Sequence, residues 1–179
     1  MKEPAFVALL GVSLLAGCEK AMAPPPAPPV PAQSQITKPN PKLQTLKLWL
    51  GAEELITELA LTAEQQMTGM MFRTNILESE GMLFALPYPQ QASFYMKNTL
   101  VPLSVAYIDP DGRILEVNEF EALNEEAVPS RSYRVLYVLE MKEGWFGRNG
   151  VVPGAIIQTE QGPLKDHVKF IPQEPEKAK

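Results

Sequence analysis

The sequence has little of the chemistry that many hydrolases and metalloproteins use. Its 179 residues include one cysteine, Cys18, and one histidine, His167. A single cysteine cannot form an internal disulfide, so the fold must depend on its hydrophobic core. Histidine and cysteine clusters are missing, so no metal site is predicted. A serine triad is not expected either, because no Gly-x-Ser-x-Gly turn occurs and the histidine lies near the C-terminus.

The sequence also lacks an excess of positive charge. Lysine and arginine total 16 against 21 aspartate and glutamate residues, which gives a formal net charge of −5. Nucleic-acid binding needs a basic face that contacts phosphates, so nucleic acid is not an expected partner. Neither Gly-x-Gly-x-x-Gly nor Gly-x-x-x-x-Gly-Lys occurs, and we therefore predict no nucleotide cofactor and no other cofactor.

The first 17 residues have the pattern of a signal peptide. An apolar run extends over residues 5–16, and the sequence LAGC that ends at Cys18 resembles a bacterial lipobox. The resemblance implies that Cys18 becomes a lipidated first residue. The protein would then be anchored in the cell envelope, at the inner or outer membrane, and face the periplasm. The alternatives are an ordinary secretory signal and a transmembrane anchor, although the run is shorter than the roughly 20 residues that cross a bilayer.

Residues 18–42 differ in composition from the rest of the chain. Eight of the 18 prolines lie between residues 21 and 42, and no aromatic residue does. Proline runs favour an extended conformation, which predicts a linker that holds a domain away from the membrane. A proline-rich ligand for a partner is the alternative. We predict one domain over residues 43–171, long enough for its own core, and a disordered charged tail over residues 172–179.

Alternation of apolar and polar positions predicts a mainly β domain. Strands are predicted at residues 44–50, 55–61, 81–86, 92–97, 103–109, 113–120, 134–141 and 155–158. Thr62 and Gln65 have the spacing of a helix capping box, and Met67, Met70 and Met71 follow at helical spacing as predicted core residues. Many short strands joined by turns favour a compact antiparallel β-sandwich or small barrel with one short helix.

Glu140 interrupts the last long strand, whose sequence is RVLYVLEM. Alternation places Glu140 on the same strand face as Val138 and places Val135 on the opposite face. A carboxylate on an apolar face needs a partner that offsets its desolvation. Arg73 and Lys97 are the candidates by residue type.

Four segments together resemble a known family. They are TAEQQMTGMMFR, GMLFAL, FYMKNTLVPLSVAYIDPDGRI and YVLEMKEGW, and they look like successive motifs of the domain of unknown function 192 (DUF 192) family of bacteria and archaea. The resemblance extends from about Leu43 to Gln158. It implies a compact, mostly antiparallel β fold with a short helix and brings no established activity. It also implies a polar signature, which falls here on Arg73, Lys97, Asn98, Thr99, Glu140 and Gly144.

The chain departs from the family pattern at three positions. Tyr95 stands where the family usually has tryptophan, and Ser104 and Ala155 stand where aspartate is common. Two acidic positions are therefore lost, which weakens an enzyme mechanism based on a pair of carboxylates.

Two interpretations of the polar signature remain open. In the first, Asn98 and Thr99 stabilise the turn before Pro102, while Lys97 pairs with Glu140 or extends to water. In the second, polar side chains line a shallow cleft suited to a small anion or a sugar, with a tyrosine as its flat wall. The cleft residues would be Arg73, Tyr95, Lys97, Asn98, Thr99 and Glu140.

These features favour a non-catalytic envelope protein that binds a small ligand or another envelope protein through this cleft. One alternative is a hydrolase of cell-wall saccharide, in which two carboxylates share the chemistry. Its candidate acids are Asp109, Glu116, Glu119, Glu121, Glu125, Glu126 and Glu140. The other alternative is a purely structural envelope protein.

Overall fold

Two leucine-rich strands open the fold as a hairpin. In the computed structural model, which describes residues 36–172, β1 (Thr45–Leu50) and β2 (Glu53–Ala60) pair antiparallel. The turn between them contains Gly51, whose φ of 64° lies in the left-handed region that glycine adopts without steric cost. Alternate leucines of both strands are buried, so the hairpin presents one apolar face to the core.

A short helix connects the hairpin to the third strand. α1 (Ala63–Thr68) begins with a capping box, in which the Gln65 N–H donates to the Thr62 hydroxyl at 3.3 Å and the Thr62 N–H donates to the Gln65 side chain at 3.0 Å. These bonds satisfy N–H groups that the start of a helix leaves free. The predicted helix and its cap are confirmed. The crossover through α1 makes β3 (Glu80–Gln90) parallel to β2.

The other six strands complete two sheets. They are β4 (Ser93–Phe94), β5 (Leu103–Ile108), β6 (Ile114–Phe120), β7 (Val128–Pro129), β8 (Val135–Lys142) and β9 (Gln158–Thr159). The seven-stranded sheet has the order β6-β5-β8-β3-β2-β1-β9, and every pair except β2 with β3 is antiparallel. β4 and β7 form a separate two-stranded sheet.

The segment before β9 connects both edges of the large sheet. β9 pairs with β1 at one edge. At the other edge the Ile114 N–H donates to the Ala155 carbonyl at 2.8 Å, and the Gly154 N–H donates to the Ile114 carbonyl at 2.8 Å. The sheet therefore curls into a half-barrel. The predicted mainly β fold class is confirmed, with one parallel strand pair in an otherwise antiparallel sheet.

Both faces of the curled sheet are buried. One face packs against the C-terminal part of the chain, including Trp145 and Leu164. The opposite face packs against the segments that follow α1 and β4, including Met70 and Met96. Strands buried on both faces have nearly continuous apolar sequences, as β5 and β8 do. A polar residue in either strand is therefore exceptional.

The structure corrects three details of the predicted elements. The strand predicted over residues 92–97 contains only β4, because the chain turns at Lys97 and Asn98. Of the strand predicted over residues 155–158, only the end belongs to β9, and Ile156 forms an isolated bridge. The described residues form three short helices where one was predicted. α2 (Trp145–Arg148) and α3 (Leu164–His167) have four residues each, too few for a periodic pattern.

The three methionines predicted as core do not share one environment. Met70 and Met71 are buried as predicted, whereas Met67 is 62% exposed. α1 ends at Thr68, so Met70 and Met71 reach the core from the turn that follows the helix, and helical spacing does not apply to them. The prediction for Met67 is therefore wrong.

Several predicted segments lie outside the described residues. They are the signal peptide at residues 1–17, Cys18, the linker as far as residue 35 and the tail from residue 173. Within residues 36–172, no helix combines the length and the apolar character of a membrane span, and the longest, α1, has six residues.

Candidate functional site

Glu140 lies in the middle of the large sheet with apolar neighbours on both sides. On β8 it is in register with Met82 of β3 and Val105 of β5, and both neighbours are fully buried. Glu140 itself is 5% exposed. The alternation along β8 thus places a carboxyl group on the apolar face that packs against Met70 and Met96.

The carboxyl group of Glu140 lacks a partner that balances its burial. Its Oε2 accepts no hydrogen bond from any described residue. Burial raises the pKa of Glu140 to about 8, and the positive charge of Arg73 offsets this effect only in part. The carboxyl is therefore mostly protonated at neutral pH. Within residues 36–172, neither Arg73 nor Lys97 forms the predicted salt bridge with Glu140.

A cavity of about 400 Å³ extends to Glu140, and we call it the Glu140 cleft. Its apolar lining consists of Ala63, Met67, Gly69, Met70, Met71, Phe84, Leu86, Ala92 and Phe94. Its polar lining consists of Gln66, Thr68, Gln90, Gln91, Ser93, Tyr95, Thr99 and Glu140. The volume lies within the range of small-molecule sites. Among the described residues of this lining, Glu140 is the one carboxyl group, and none is a lysine, arginine or histidine.

Aromatic and thioether side chains form the walls of the Glu140 cleft. Phe84 of β3 and Phe94 of β4 contact each other edge to face, with ring centroids 5.2 Å apart. Tyr95 is 49% exposed and, like Met67, lies at the mouth. The walls therefore offer flat, polarizable surfaces to the apolar part of a ligand.

Arg73 lines a different and smaller cavity, of about 110 Å³. Its guanidinium donates to both oxygens of Glu58, from Nη1 to Oε1 at 2.7 Å and from Nη2 to Oε2 at 2.9 Å. The Leu43 N–H donates to the same carboxylate at 3.0 Å. Burial raises the pKa of Glu58, but the hydrogen bonds from Arg73 and Leu43 outweigh burial and hold the pKa below its usual value. Arg73 is thus committed to an ion pair.

Lys97, Asn98 and Thr99 form a turn beside the Glu140 cleft. Asn98 has a left-handed φ of 55°, and its carbonyl accepts from the Phe72 N–H at 2.8 Å. Its side-chain amide lies 3.9 Å from the sulfur of Met71. Lys97 is exposed, and Thr99 is the member of the turn that lines the cleft. The contacts of Asn98 thus run mainly through its backbone carbonyl.

The structure brings together three of the six predicted site residues. Tyr95, Thr99 and Glu140 line the Glu140 cleft, and the predicted basic and amide side chains do not. The sequence analysis missed the wall residues Phe84 and Phe94. Apolar residues around a cavity have the same pattern as core residues, so periodicity cannot distinguish them. The only sequence feature that could have indicated a cavity wall was the run of methionines after the capping box.

A pair of carboxylates is missing from the Glu140 cleft as the described residues form it. Two other candidate acids have structural contacts instead. Glu116 accepts from the backbone N–H and the Nε of Arg131, at 2.8 and 2.9 Å. Asp109 accepts from the N–H groups of the turn that follows it, at 2.9 and 3.0 Å. No group of three or more histidine, cysteine, aspartate or glutamate side chains in residues 36–172 could hold a metal ion.

Comparison with known proteins places this chain in a family. The model of the DUF192 family, described as uncharacterized ACR, matches residues 48–159. The chain belongs to the DUF192 family. All residues that line the Glu140 cleft of this DUF192 protein lie within the matched range. Among curated proteins the comparison finds no match.

Two solved structures are similar to this DUF192 protein. One is a protein of Sinorhizobium meliloti 1021, proposed to be a transcription regulator, with 31% identity and a TM-score of 0.60 over 64% of this chain and 92% of the other. Another is a protein of unknown function from Novosphingobium aromaticivorans DSM 12444, with 29% identity and a TM-score of 0.63 over 74% of this chain and 99% of the other.

Ser104 departs from the DUF192 pattern, and the neighbouring strand β6 supplies a carboxylate beside it. Ser104, which replaces the aspartate implied by the resemblance, donates to Glu119 Oε2 at 2.5 Å and accepts from the Gly144 N–H at 2.7 Å. Glu119 Oε2 also accepts from the Gly144 N–H, at 3.2 Å. A carboxylate from β6 is therefore present beside the serine.

Proposed function

We propose that this DUF192 protein is a binding module that holds a small ligand in the Glu140 cleft and does not transform it. The observation that carries the proposal is that Glu140, whose buried Oε2 accepts no hydrogen bond from the described residues, lines a cavity of about 400 Å³. A buried polar atom without a hydrogen bond costs roughly 1–3 kcal/mol, and a ligand that bonds to Glu140 recovers part of this free energy.

The polar groups that line the cleft support ligand binding rather than catalysis. General acid–base chemistry on a saccharide requires two carboxyl groups on opposite sides of the scissile bond. The cleft supplies one, on Glu140. The predicted site also brings two hydroxyls to the cleft. That of Thr99 already donates to the Lys97 carbonyl at 3.4 Å, and that of Tyr95 belongs to an exposed residue.

A thermal-shift screen of the full-length chain tests the binding proposal. The panel contains cell-wall fragments, sugars, amines and small anions, and a ligand that binds only the folded state raises the melting temperature. We expect at least one class to raise it in the parent chain. Tyr95→Ala removes a wall residue at the mouth and is expected to abolish the increase. Tyr133→Ala, a change at an exposed tyrosine outside the cleft, is expected to preserve it.

Two results would contradict the binding proposal. The first is a panel in which no compound raises the melting temperature of the parent chain. The second is a set of hits whose effect is the same in the parent chain and in Tyr95→Ala, since such compounds bind elsewhere.

We also propose that Cys18 anchors this binding module in the cell envelope through a lipid. The support is the sequence alone, namely the apolar run and LAGC segment, followed by a proline-rich linker. Cell fractionation is the test. The parent chain is expected with the membranes, and Cys18→Ala is expected to lose the lipid mass at the N-terminus. A Cys18→Ala chain that carries the same lipid mass would refute lipidation at this residue.

A further inference from the structure

We infer, as a consequence of the proposed function, that the ligand of the Glu140 cleft is an organic cation with a primary ammonium or guanidinium head on an apolar body. Its N–H groups donate to the Glu140 carboxylate, and its body lies against Phe84 and Phe94. Three features of the cleft favour this class: its committed donors, its single carboxyl group and its aromatic walls.

The hydrogen-bond donors deep in the cleft are already used by the protein. The Nε2 of Gln66 donates to two backbone carbonyls, at 2.7 and 3.0 Å, which uses both of its N–H bonds. The hydroxyls of Thr68 and Thr99 each donate to a backbone carbonyl, at 3.1 and 3.4 Å. Deep in the cleft the one uncommitted side-chain donor of the described residues is therefore the O–H of Glu140 in its protonated form, and it is lost when the carboxyl ionises. The other side-chain donors lie on less buried residues. Ser93, Tyr95 and Gln91 are exposed, and Gln90 is half-buried. The Gln91 amide already donates to the Ser130 carbonyl at 2.7 Å.

The acceptor deep in the cleft is, by contrast, free. Oε2 of Glu140 receives no hydrogen bond from the described residues, and the residue is 5% exposed. Leaving such an atom without a donor costs more free energy than a single hydrogen bond contributes on average. The ionised carboxyl only accepts hydrogen bonds, so a ligand that donates to it is favoured once the proton has left. An N–H-bearing head meets this requirement, and a charged one makes the stronger bond.

The charged groups near Glu140 cannot take the place of the ligand. The ionisable groups that interact electrostatically with it are Arg73 and Tyr107. Arg73 is held by the bidentate pair with Glu58, and the Tyr107 hydroxyl donates to the Val128 carbonyl at 2.8 Å. A bound cation therefore supplies a counter-charge that the protein does not bring to the carboxyl group itself.

The walls of the cleft also suit a cation. Phe84, Phe94 and Tyr95 carry ring faces of negative potential, which attract ammonium and guanidinium groups. Met70 and Met71 add polarizable thioethers from flexible side chains that adapt to ligand shape. The same surfaces bury the apolar body of the ligand.

Binding of the cation displaces a proton from the carboxyl group. In the free protein at neutral pH, burial keeps a proton on Glu140. When the ammonium enters, the carboxyl O–H bond breaks, its proton passes to the buffer and the resulting carboxylate accepts an ammonium N–H. The ligand keeps its charge, so up to one proton is released for each cation bound.

Three probes of similar shape and different charge test the inference by calorimetry on the full-length chain. They are 2-phenylethylamine, 2-phenylethanol and 3-phenylpropionate. The amine is expected to bind about tenfold or more tightly than the other two, since it alone makes a charge-assisted bond. Its binding enthalpy is expected to change with the ionisation enthalpy of the buffer, which reports the released proton.

A matched pair of variants tests whether the Glu140 carboxyl group is responsible for the affinity for the amine. Glu140→Gln is expected to lower the affinity for the amine about tenfold or more. Glu121→Gln makes the same substitution at an exposed residue outside the cleft and is expected to leave the affinity unchanged. The comparison of the three probes uses the parent chain, so it stays decisive even if Glu140→Gln does not fold.

Several results would overturn the inference without deciding the proposed function. They are equal affinity for the alcohol or the carboxylate, an unchanged amine affinity in a folded Glu140→Gln, and no amine binding at all. In each case the screen with Tyr95→Ala decides separately whether the cleft binds another class of molecule.

Discussion

Glu140 is an acid whose neutral form is favoured by the folded state. Burial between two apolar strands raises its pKa from 4.5 to about 8. Between these pH values the folded chain binds a proton that the unfolded chain has lost, so the free energy of unfolding falls as pH rises through this window. The slope from this group is at most about 1.4 kcal/mol per pH unit. Below pH 4.5 the group makes no pH-dependent contribution.

The variant Glu140→Gln tests this linkage. It preserves the shape of the side chain and removes the titration. The difference in the free energy of unfolding, variant minus parent, is expected to grow steadily between pH 4.5 and 8. Urea denaturation at several pH values measures this difference. Glu121→Gln, at an exposed position, serves as the control. A difference between Glu140→Gln and the parent chain that is constant with pH would contradict the account.

The ion pair between Arg73 and Glu58 is predicted to stabilise the fold. Both side chains are mostly buried, and the contact is bidentate. Arg73→Ala leaves a carboxylate without its guanidinium, and we expect it to lower the free energy of unfolding by roughly 1–3 kcal/mol. Arg148→Ala breaks a half-exposed pair with Glu78 and is expected to have a clearly smaller effect, because solvent screens that pair. Equal effects of the two variants in urea denaturation would show that the buried pair has no special role.

At the scale of the element, the turn at Lys97 and Asn98 depends on backbone conformation more than on side-chain contacts. Asn98 has a φ of 55°, which asparagine tolerates better than most residues. Asn98→Gly is therefore expected to leave the free energy of unfolding unchanged, whereas Asn98→Ala is expected to lower it by about 1 kcal/mol. Equal losses in Asn98→Gly and Asn98→Ala would instead show that the side-chain amide, 3.9 Å from the Met71 sulfur, is the stabilising group.

The elements also show where sequence patterns succeed and fail. The hairpin of β1 and β2 and the capping box at Thr62 are local features, and both are predictable from residues close together in the chain. Val135 was predicted on the face opposite to Val138 but packs in the same cluster. The register of β8 against β3 shifts between Ala85 and Gln90, and such an irregularity interrupts the alternation without a clear mark in the sequence.

At the scale of the whole molecule, the C-terminal part of the chain covers one face of the sheet. Leu164 of α3 is 1% exposed and packs in the cluster on that face. Leu164→Ala is expected to lower the free energy of unfolding by roughly 2–5 kcal/mol, because it leaves a cavity in the core. Ile171→Ala, at a position that is 52% exposed, is the control and is expected to cost less than about 1 kcal/mol. Similar costs in both variants would mean that α3 is not part of the core.

The candidate site is a property of the whole molecule, and this limits what the sequence could predict. The strand pattern identified Glu140 as an exceptional residue, because that inference needs only the alternation along β8. The partner of Arg73 could not be predicted in the same way, since Glu58 lies on β2 and Arg73 in the segment between α1 and β3, and the two meet only in the folded chain. The cavity itself is formed by α1, β3, β4 and β8, which meet only in the folded chain.

The titration of the Glu140 carboxyl carbon by ¹³C NMR, on the full-length chain without ligand, tests the central claim most directly. The account predicts a midpoint near pH 8, because the carboxyl is buried and Oε2 has no partner. A midpoint near 4.5 would mean that Glu140 is solvated or paired in solution, and it would contradict the account.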